Sequence, residues 1–518
     1  DLIVGDTGAT VQKVNASGTV TAVTDATQSD LTTTANGSIV ARTSNGALVL
    51  NDGTGAADGV AVSANGTGDV LLQALGAGTD VTANADVVSG SGHLTVLAAR
   101  SVVFTANAGL TPGSTGTIDL EAGTGSISLS ATSNPTAGSG DIRFLAAVDI
   151  TLGGVATTTG SFSATATTGS ILDGDNDGSV DVAANGLRLV AGTGIGQLGG
   201  SVNPVETTVT TVSARAALGG ISLLETNDLI VGDTGATVQK VNATGAVDAV
   251  TDAMQSDLVT TANGSVVART ANGSLTLNDG TGAADGVAVG ANGSGHVRLE
   301  AVGGSVTLNA AVRSGDGHLS IIGAQDVTQA AAGSLATGAG SIDVEATAGA
   351  VLVADGAKAQ SGLGNIRYRA GANVTVTGVQ AVTGNVSLLA GGNILDGGSL
   401  GLDVVAAGLR LQAGGTIGTA ADGLETGVAT VSALAGGLVR LLESDGITVG
   451  SVAVSVSRVG ADGGLTVVSD AAQSDLVSAA GALVLETTGG TITVADGNAD
   501  GAGVRTLGAG NVLLNAGG

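Results

Sequence analysis

The sequence predicts an all-β fold, namely a parallel β-helix (β-solenoid) with coils of about 20–24 residues. Three observations lead to this prediction: long internal repeats, short runs in which apolar and polar residues alternate, and corners rich in glycine. No long helix is predicted, because Gly interrupts the Ala-rich stretches every few residues.

The chain is built from copies of one long segment. Residues 1–227 recur with light editing as residues 228–445, and residues 446–518 begin a third copy. The first sixty residues of the first two copies differ at nine positions, mostly by small exchanges such as Ile39 for Val266. Contacts in such arrays run mainly between neighbours along one axis, so we expect one continuous solenoid. Since the chain opens within a repeat and without a signal peptide, we also expect a longer native protein.

Residues 92–178 show the predicted strands of single coils. Runs of about five residues alternate between apolar and polar side chains, as in a strand with one buried face. Equivalent apolar positions are Leu94, Ile118, Ile142 and Phe162, which lie 24, 24 and 20 residues apart. This spacing is that of one β-helix coil and is shorter than a propeller blade of about 40 residues.

Corners between the strands are predicted at Asn-Gly pairs, among them residues 36–37, 45–46 and 65–66 and their counterparts in the second copy. Gly adopts positive φ without steric cost, and Asn tolerates it. We therefore expect Gly to take positive φ at these corners.

Aromatic residues are scarce, as expected for a narrow core filled by Val, Ile, Leu and Ala. The chain contains only Phe104, Phe144, Phe162 and Tyr368. Phe104 and Phe144 occupy inward positions of the alternating runs, so we interpret the aromatic residues as core fillers rather than as a platform for a ligand.

Composition excludes several classes of protein. An apolar fraction of 43% and a mean hydropathy of +0.42 exclude a disordered tail, and no apolar run reaches the roughly 20 residues needed to cross a membrane. The net charge of −27, with 17 Lys and Arg, disfavours nucleic-acid binding, which needs basic surfaces. The absence of Cys excludes disulfides and is compatible with an exported bacterial protein.

The sharpest local motif is a possible Ca²⁺ loop formed by Asp173, Asp175, Asp177, Ser179 and Asp181. Carboxylates at alternate positions followed by a turn Gly provide the oxygen ligands that Ca²⁺ prefers. The alternative is a solvated acidic corner, and the second copy keeps only the two outer carboxylates of the loop. We therefore expect Ca²⁺, if bound, to be an accessory to stability.

Other polar motifs are predicted to be structural. Asp52 and Asp58 recur in all three copies, and Asx-type turns are favoured over a metal because few side-chain oxygens lie between them. Asp25 and Asp30 have the carboxylate pairing of glycosidases, but the pair is repeated and lacks an aromatic sugar platform. Of the three histidines, His93 and His318 are repeat equivalents at a strand start and are interpreted as turn residues. No Ser/His/Asp set or metal-ligating His cluster is present.

The glycine-rich alternating segments at residues 291–300, 391–396 and 408–414 resemble the giant filamentous-haemagglutinin-like exoproteins of bacteria. The resemblance extends over essentially the whole chain. It implies a secreted or surface-displayed right-handed parallel β-helix that serves in adhesion, in cell-cell contact or as an extracellular fibre.

We therefore predict a bacterial, extracellular, non-enzymatic protein that is a structural and adhesive segment of a long surface protein or filament. Its expected partners are copies of itself, joined axially or laterally, and other cell surfaces. One alternative is a carbohydrate-active β-helix enzyme such as a lyase, which needs a groove with clustered Asp, Lys or Arg and aromatic residues. Another is an ice- or mineral-binding solenoid, suggested by Thr at 157–159 and 165, although these Thr lack a strict period.

Overall fold

The computed structural model describes residues 1–398 and 401–517. In these residues the chain forms strands, turns and no helix, and most strands pair in parallel with the equivalent strand of the next coil. The predicted all-β parallel β-helix is confirmed. The right-handed winding and the continuity of the three copies stay predictions.

The predicted coil spacing is confirmed by the strand register. Leu94 lies opposite Ile118, Ile118 opposite Ile142, and Ile142 opposite Phe162, all in parallel pairs. Each of these side chains is fully buried, so the apolar position of one coil rests on that of the next. The period-two pattern therefore fixed both the strands and their pairing.

Contacts divide the chain into two compact units. Unit 1 comprises Asp1–Gly196, Asn203–Thr211 and Thr234–Gln255, and unit 2 comprises Gln197–Val202, Val212–Asp233 and Ser256–Gly518. The units do not coincide with the sequence copies, because a hairpin at the start of the second copy packs within unit 1.

Unit 1 has three kinds of coil strand, and we call the sheet of five- and six-residue strands the wide face. The wide face contains Ile39–Thr43, Val70–Ala74, Leu94–Ala98, Ile118–Ala122, Ile142–Ala146, Ser161–Ala166 and the end of Val182–Ala191. The second face contains Leu2–Val4, Leu48–Leu50, Val81–Ala83, Val102–Phe104, Ile127–Leu129, Ile150–Leu152 and Ile171–Asp173. The third face contains Leu31–Thr32, Val60–Ala64, Asp86–Ser89, Leu110–Pro112, Thr136–Ala137, Val155–Thr157 and the start of Val182–Ala191. The strand Val205–Ala216 contributes residues to both units.

Unit 2 repeats this arrangement. Its wide face contains Ile221–Glu225, Val266–Thr270, Val297–Ala301, Leu319–Gly323, Ile342–Ala346, Ile366–Ala370, Asn385–Ala390 and the ends of Val404–Ala413 and Leu424–Ala435. The second face contains Leu229–Val231, Leu275–Leu277, Val306–Leu308, Val327–Gln329, Val351–Val353, Val374–Val376 and Ile394–Asp396. The third face contains Leu258–Thr260, Val287–Ala291, Ala311–Ser314, Leu335–Thr337, Ala359–Ser361 and Val379–Ala381. Val439–Glu443 ends the second copy, and the third copy adds Ile447–Val449, Leu476–Ser478, Leu483–Thr487, Ile492–Val494, Val504–Thr506 and Val512–Asn515.

The aromatic residues fill the core, as predicted. Phe104, Phe144, Phe162 and Tyr368 are all buried, and the rings of Phe144 and Phe162 meet edge to face at 5.0 Å. Since these are the only aromatic residues, the surface of the protein carries none.

Glycine at the corners mainly allows the backbones of successive coils to approach each other closely. A Cβ on Gly116 would lie 2.3 Å from the carbonyl oxygen of Gly92, and a Cβ on Gly140 would lie 2.0 Å from that of Gly116. None of these three glycines has positive φ. Positive φ does occur at Gly66 and Gly293 of the predicted Asn-Gly corners. The predicted positive φ is absent at the other named corners, Gly37, Gly46, Gly264 and Gly273. In the column of stacked glycines, backbone contact excludes a side chain.

Candidate functional sites

Three antiparallel hairpins interrupt the parallel coils, one in each sequence copy. The first hairpin is Thr10–Val14 with Val20–Thr24, the second is Thr234–Val241 with Val247–Gln255, and the third is Ser451–Val459 with Leu465–Ser474. The sequence analysis missed them. The available signal was the irregular coil length, because Ile221 pairs with Val266 and Val439 with Leu483, about twice the usual spacing.

The second hairpin lies across the wide face of unit 1. The backbone N–H groups of Val241 and Gln239 donate to the hydroxyl oxygens of Thr95 and Thr117, each at 2.9 Å. Alternate residues of one hairpin strand thus bind side chains from successive coils. The hairpin satisfies its outer backbone donors in this way and bridges separate rungs of the β-helix.

Charged residues at the centre of this contact form a network. Nη1 of Arg143 lies 2.8 Å from carboxylate oxygens of both Asp119 and Glu121, and its Nε lies 3.0 Å from Asp252 of the hairpin. Lys240 of the hairpin contacts Glu121 at 2.5 Å. Burial, and secondarily the charge of Glu121, raise the pKa of Asp119 to about 6, although Arg143 opposes this shift.

The third hairpin makes the same contacts with the wide face of unit 2. Val459 N–H and Ser457 N–H donate to the hydroxyl oxygens of Ser320 and Ser341, each at 2.9 Å. Arg367 takes the place of Arg143 and contacts the carboxylates corresponding to Asp119, Glu121 and Asp252, which are Asp343, Glu345 and Asp470. Hairpin-on-face packing is therefore a property of the repeat and not of one location.

The first hairpin closely resembles the second in sequence but has no wide face beneath it in unit 1. Residues 10–14 are identical to residues 237–241. Val11 and Val14 are 60% and 64% exposed, whereas their counterparts Val238 and Val241 are fully buried. The first hairpin thus presents to solvent the apolar side chains that its duplicate buries.

The Asp25 and Asp30 pair that the sequence analysis weighed as a glycosidase motif has two separate roles in the later copies. The counterpart of Asp25 is Asp252, which accepts hydrogen bonds from Arg143 at 3.0 Å and Ser163 at 2.6 Å. The counterpart of Asp30 is Asp257, which occupies a corner with φ of +72°. This geometry assigns the first carboxylate to hairpin packing and the second to a backbone turn.

A second candidate site is a cluster of three carboxyl groups where two coils of unit 1 meet. One oxygen each from Asp173, Asp181 and Glu206 lies within 4.8 Å of the others. Asp181 and Glu206 are only 4% and 7% exposed, and Oδ2 of Asp173 and Oε2 of Glu206 are buried without a hydrogen-bond partner. Burial and the neighbouring Asp173 and Glu206 carboxyls raise the pKa of Asp181 to about 9.

The structure brings together only the outer members of the predicted Ca²⁺ loop. Asp173 and Asp181 join the cluster, while Asp175, Asp177 and Ser179 form consecutive local turns. In these turns Asp173 Oδ1 accepts from Asp175 N–H at 2.9 Å, and Asp177 Oδ1 accepts from Ser179 N–H at 2.7 Å. The side chains of Asp177 and Ser179 are exposed.

Sequence reasoning missed Glu206 as the third member of the cluster. It lies one coil after Asp181, and its backbone N–H donates to Asp181 Oδ2 at 2.9 Å. Its separation of 25 residues from Asp181 is about one coil length. A search for acidic residues one coil length apart would therefore have found it.

The second copy contains an equivalent cluster. Oxygens of Asp396, Asp422 and Glu425 lie within 4.8 Å of one another, and Asp403 Oδ2 accepts from the N–H of Glu425 at 2.9 Å. Burial, and next the Asp396 carboxyl, raise the pKa of Asp403 to about 9. Asp396, Asp403 and Glu425 thus occupy the places of the three clustered carboxyls of the first copy.

In the recurrent Asp52 and Asp58 loop, the second aspartate forms the predicted Asx-type turn, with Asp58 Oδ1 accepting from Val60 N–H at 3.1 Å. The first aspartate closes the loop instead, with Asp52 Oδ2 accepting from Gly59 N–H at 3.0 Å. The loop also approaches Asp30, so that the three carboxyls lie within 4.8 Å. The same two hydrogen bonds recur at Asp279 and Asp285.

All three histidines lie immediately before strands, as was predicted for His93 and His318. His93 precedes Leu94–Ala98, and its Nδ1 lies 3.0 Å from Thr117 Oγ1. His296 and His318 stack on one another at 5.2 Å in successive coils. Burial lowers the pKa of all three, which favours neutral rings.

Comparisons with protein-family models, with curated proteins and with solved structures found no match to this chain. In the part of the chain that the structure describes, no helix has the length and apolar character needed to span a membrane.

Proposed function

We propose that this chain is a structural and adhesive segment of a long bacterial surface protein or extracellular filament. The observation that carries this proposal is the duplicated packing of a hairpin from one copy on the wide face of the copy before it. Each copy is thereby fastened to its predecessor by hydrogen bonds, an ion network and apolar contact, in addition to the coil-to-coil pairing. Such reinforcement suits a protein whose role depends on length and mechanical integrity.

The surface chemistry supports a structural role over a sugar-cleaving one. A β-helix lyase would need exposed aromatic and basic residues in a groove, but every aromatic residue of this chain is buried. The central arginines, Arg143 and Arg367, are also buried and engaged by carboxylates. The charge of the protein would instead keep long assemblies dispersed in solution.

The role at the cell surface is tested on source cells with antibodies raised against this chain. Immunogold labelling of intact cells should decorate extended surface fibres, and monovalent antibody fragments should reduce attachment between cells. Label confined to the cell interior, or unchanged attachment with saturating fragments, would contradict the proposal.

The first hairpin provides a specific contact for assembly, and its proposed partner is the wide face of another copy of this repeat. Residues 10–14 are identical in sequence to residues 237–241, and residues 237–241 pack on such a face. On that face Lys13 would meet the carboxylate that Lys240 meets in Glu121. Self-assembly through hairpins would thus extend the contact already present within each unit.

Zero-length carbodiimide cross-linking of native filaments tests this contact. The Lys240–Glu121 cross-link serves as the internal control, since those side chains already touch. We expect an additional cross-link from Lys13 to the Glu equivalent to Glu121 on the wide face of a repeat copy that no other hairpin covers. A Lys13 that stays free for acetylation while the control link forms would refute hairpin-mediated assembly.

A further inference from the structure

The carboxyl cluster of unit 1 leaves buried oxygen atoms without partners. Besides Asp173 Oδ2 and Glu206 Oε2, the Oδ1 atom of Asn203 is buried and unpartnered. The amide nitrogen of Asn203 donates to the backbone oxygen of Asp175 at 3.0 Å, which holds this side chain on the same loop. Buried acceptors without donors are costly, and three of them around one loop require a common explanation.

No basic side chain compensates the negative charge of the cluster in the described part of the chain. The groups that act on Asp181 and Glu206 are each other, Asp173, Asp175 and backbone N–H groups. Acidic groups packed together without a cation repel one another. A bound cation would supply both the missing charge and the missing partners.

The dimensions of the cluster suit a calcium-sized ion. Oxygen atoms that share one Ca²⁺ at about 2.4 Å lie at most about 4.8 Å apart. The oxygens of Asp173, Asp181 and Glu206 meet this limit. The Asn203 carbonyl and water would complete the six to eight oxygen ligands that Ca²⁺ typically takes.

The second copy retains the carboxyl groups of the cluster, while its loop changes and Arg440 acts on one of them, Asp422. The residues between the two aspartates differ in number, with seven between Asp173 and Asp181 and six between Asp396 and Asp403. The equivalent of Asn203 is Asp422, whose oxygen lies within 4.8 Å of Asp396 and Glu425. Asn and Asp both offer an oxygen to a hard cation, so the exchange preserves a ligand position.

We propose that Asp173, Asp181 and Glu206, with Asn203, bind a divalent cation of the calcium class, and that Asp396, Asp403, Asp422 and Glu425 form a second such site. The ion joins the end of one coil to the start of the next at the same point of each copy. The site differs from a contiguous Asp-x-Asp-x-Asp loop, because Asp175 and Asp177 take no part and a residue from the following coil does.

Calcium counting by equilibrium dialysis, on chelator-stripped chain returned to Ca²⁺ at neutral pH, tests the proposal. Glu206→Gln and Glu425→Gln replace a ligand by a neutral isostere, and Asp177→Asn in the same loop is the matched control. We expect each Gln variant to bind one ion fewer than the wild type, the double variant two fewer, and the control the same number. Counting differences makes the result independent of ions held by other acidic loops.

Stability gives a second readout on the same proteins. Ca²⁺ should raise the melting temperature of the wild type and of Asp177→Asn more than that of the double Gln variant. The proposal is overturned if the double variant binds as many ions as the wild type, or if Asp177→Asn loses the ion. Circular dichroism of each variant without Ca²⁺ establishes that it folds, and a variant that fails to fold is replaced by the single Asp173→Asn exchange.

Discussion

Apolar packing of the second hairpin on the wide face is predicted to stabilise unit 1. The first hairpin, which lacks this packing, is the internal control for the size of the effect. Val238 and Val11 are repeat equivalents in hairpin strands of identical sequence, residues 237–241 and 10–14, and they are 0% and 60% exposed. Val→Ala removes two methyl groups, worth about 0.8 kcal/mol each when buried, and leaves a cavity. We expect Val238→Ala to cost about 2 kcal/mol and Val11→Ala less than about 0.5 kcal/mol.

Urea denaturation combined with hydrogen exchange measures this difference. The N–H groups of Gln239 and Val241 are the reporters, because each donates to a wide-face hydroxyl. Val238→Ala should accelerate their exchange and lower the unfolding midpoint, while Val11→Ala should change neither. Equal effects of the two exchanges would show that burial on the wide face does not stabilise the hairpin, and would refute the reasoning.

Three further predictions concern buried polar groups. Asp119 Oδ2 lacks a partner, whereas the equivalent oxygen in unit 2, Asp343 Oδ2, accepts from Arg458 Nε at 2.6 Å. Because Lys240 is the counterpart of Arg458, Lys240→Arg should add about 1 kcal/mol to the free energy of unfolding in urea titrations, and a destabilised variant would contradict this. The folded-state pKa of Asp119, about 6, exceeds its unfolded value of about 4, so its contribution to stability is complete below pH 4 and lost as pH rises through 6. Asp119→Asn should weaken that decline in melting temperature, and an unchanged pH profile would exclude the shift. Tyr368 donates to buried Gln329 at 2.5 Å, so Tyr368→Phe should cost about 1–2 kcal/mol, and no loss on denaturation would mean that Gln329 finds another partner.

The sequence predicted the features that repeat locally. Strand alternation and the spacing of Leu94, Ile118, Ile142 and Phe162 gave the fold, the register and the buried aromatic positions, because each depends on residues within one coil or one coil apart. The Asx turn in the Asp52 and Asp58 loop was also predictable from the sequence, since the hydrogen bonds of this loop join residues within one short segment.

The candidate sites were less accessible because they depend on distant contacts. Arg143 and Asp252 are 109 residues apart, so neither position in the sequence indicates that they meet. The Ca²⁺ loop was expected from contiguous carboxylates, whereas the fold selects Asp173 and Asp181 and adds Glu206 from the next coil. Side chains from different coils come together because the coils stack. A motif of contiguous residues therefore contains only some of the residues that form such a cluster.

The same stacking explains the corner glycines. The sequence suggested positive φ as their reason, yet a Cβ on Gly116 would collide with the carbonyl of Gly92 in the coil next to it. The constraint comes from a residue 24 positions away and is invisible in the local Gly-rich pattern.

The central claim is that successive coils stack in parallel register, and spin labels measure it most directly. Ser128 and Thr151 are paired neighbours on the second face, and the natural chain contains no Cys to interfere with labelling. In a Ser128→Cys/Thr151→Cys double variant, the labelled backbones lie about 5 Å apart, so we predict strong dipolar broadening of the continuous-wave spectrum at low temperature. A spectrum equal to the sum of the two singly labelled variants would contradict the stacking of these coils.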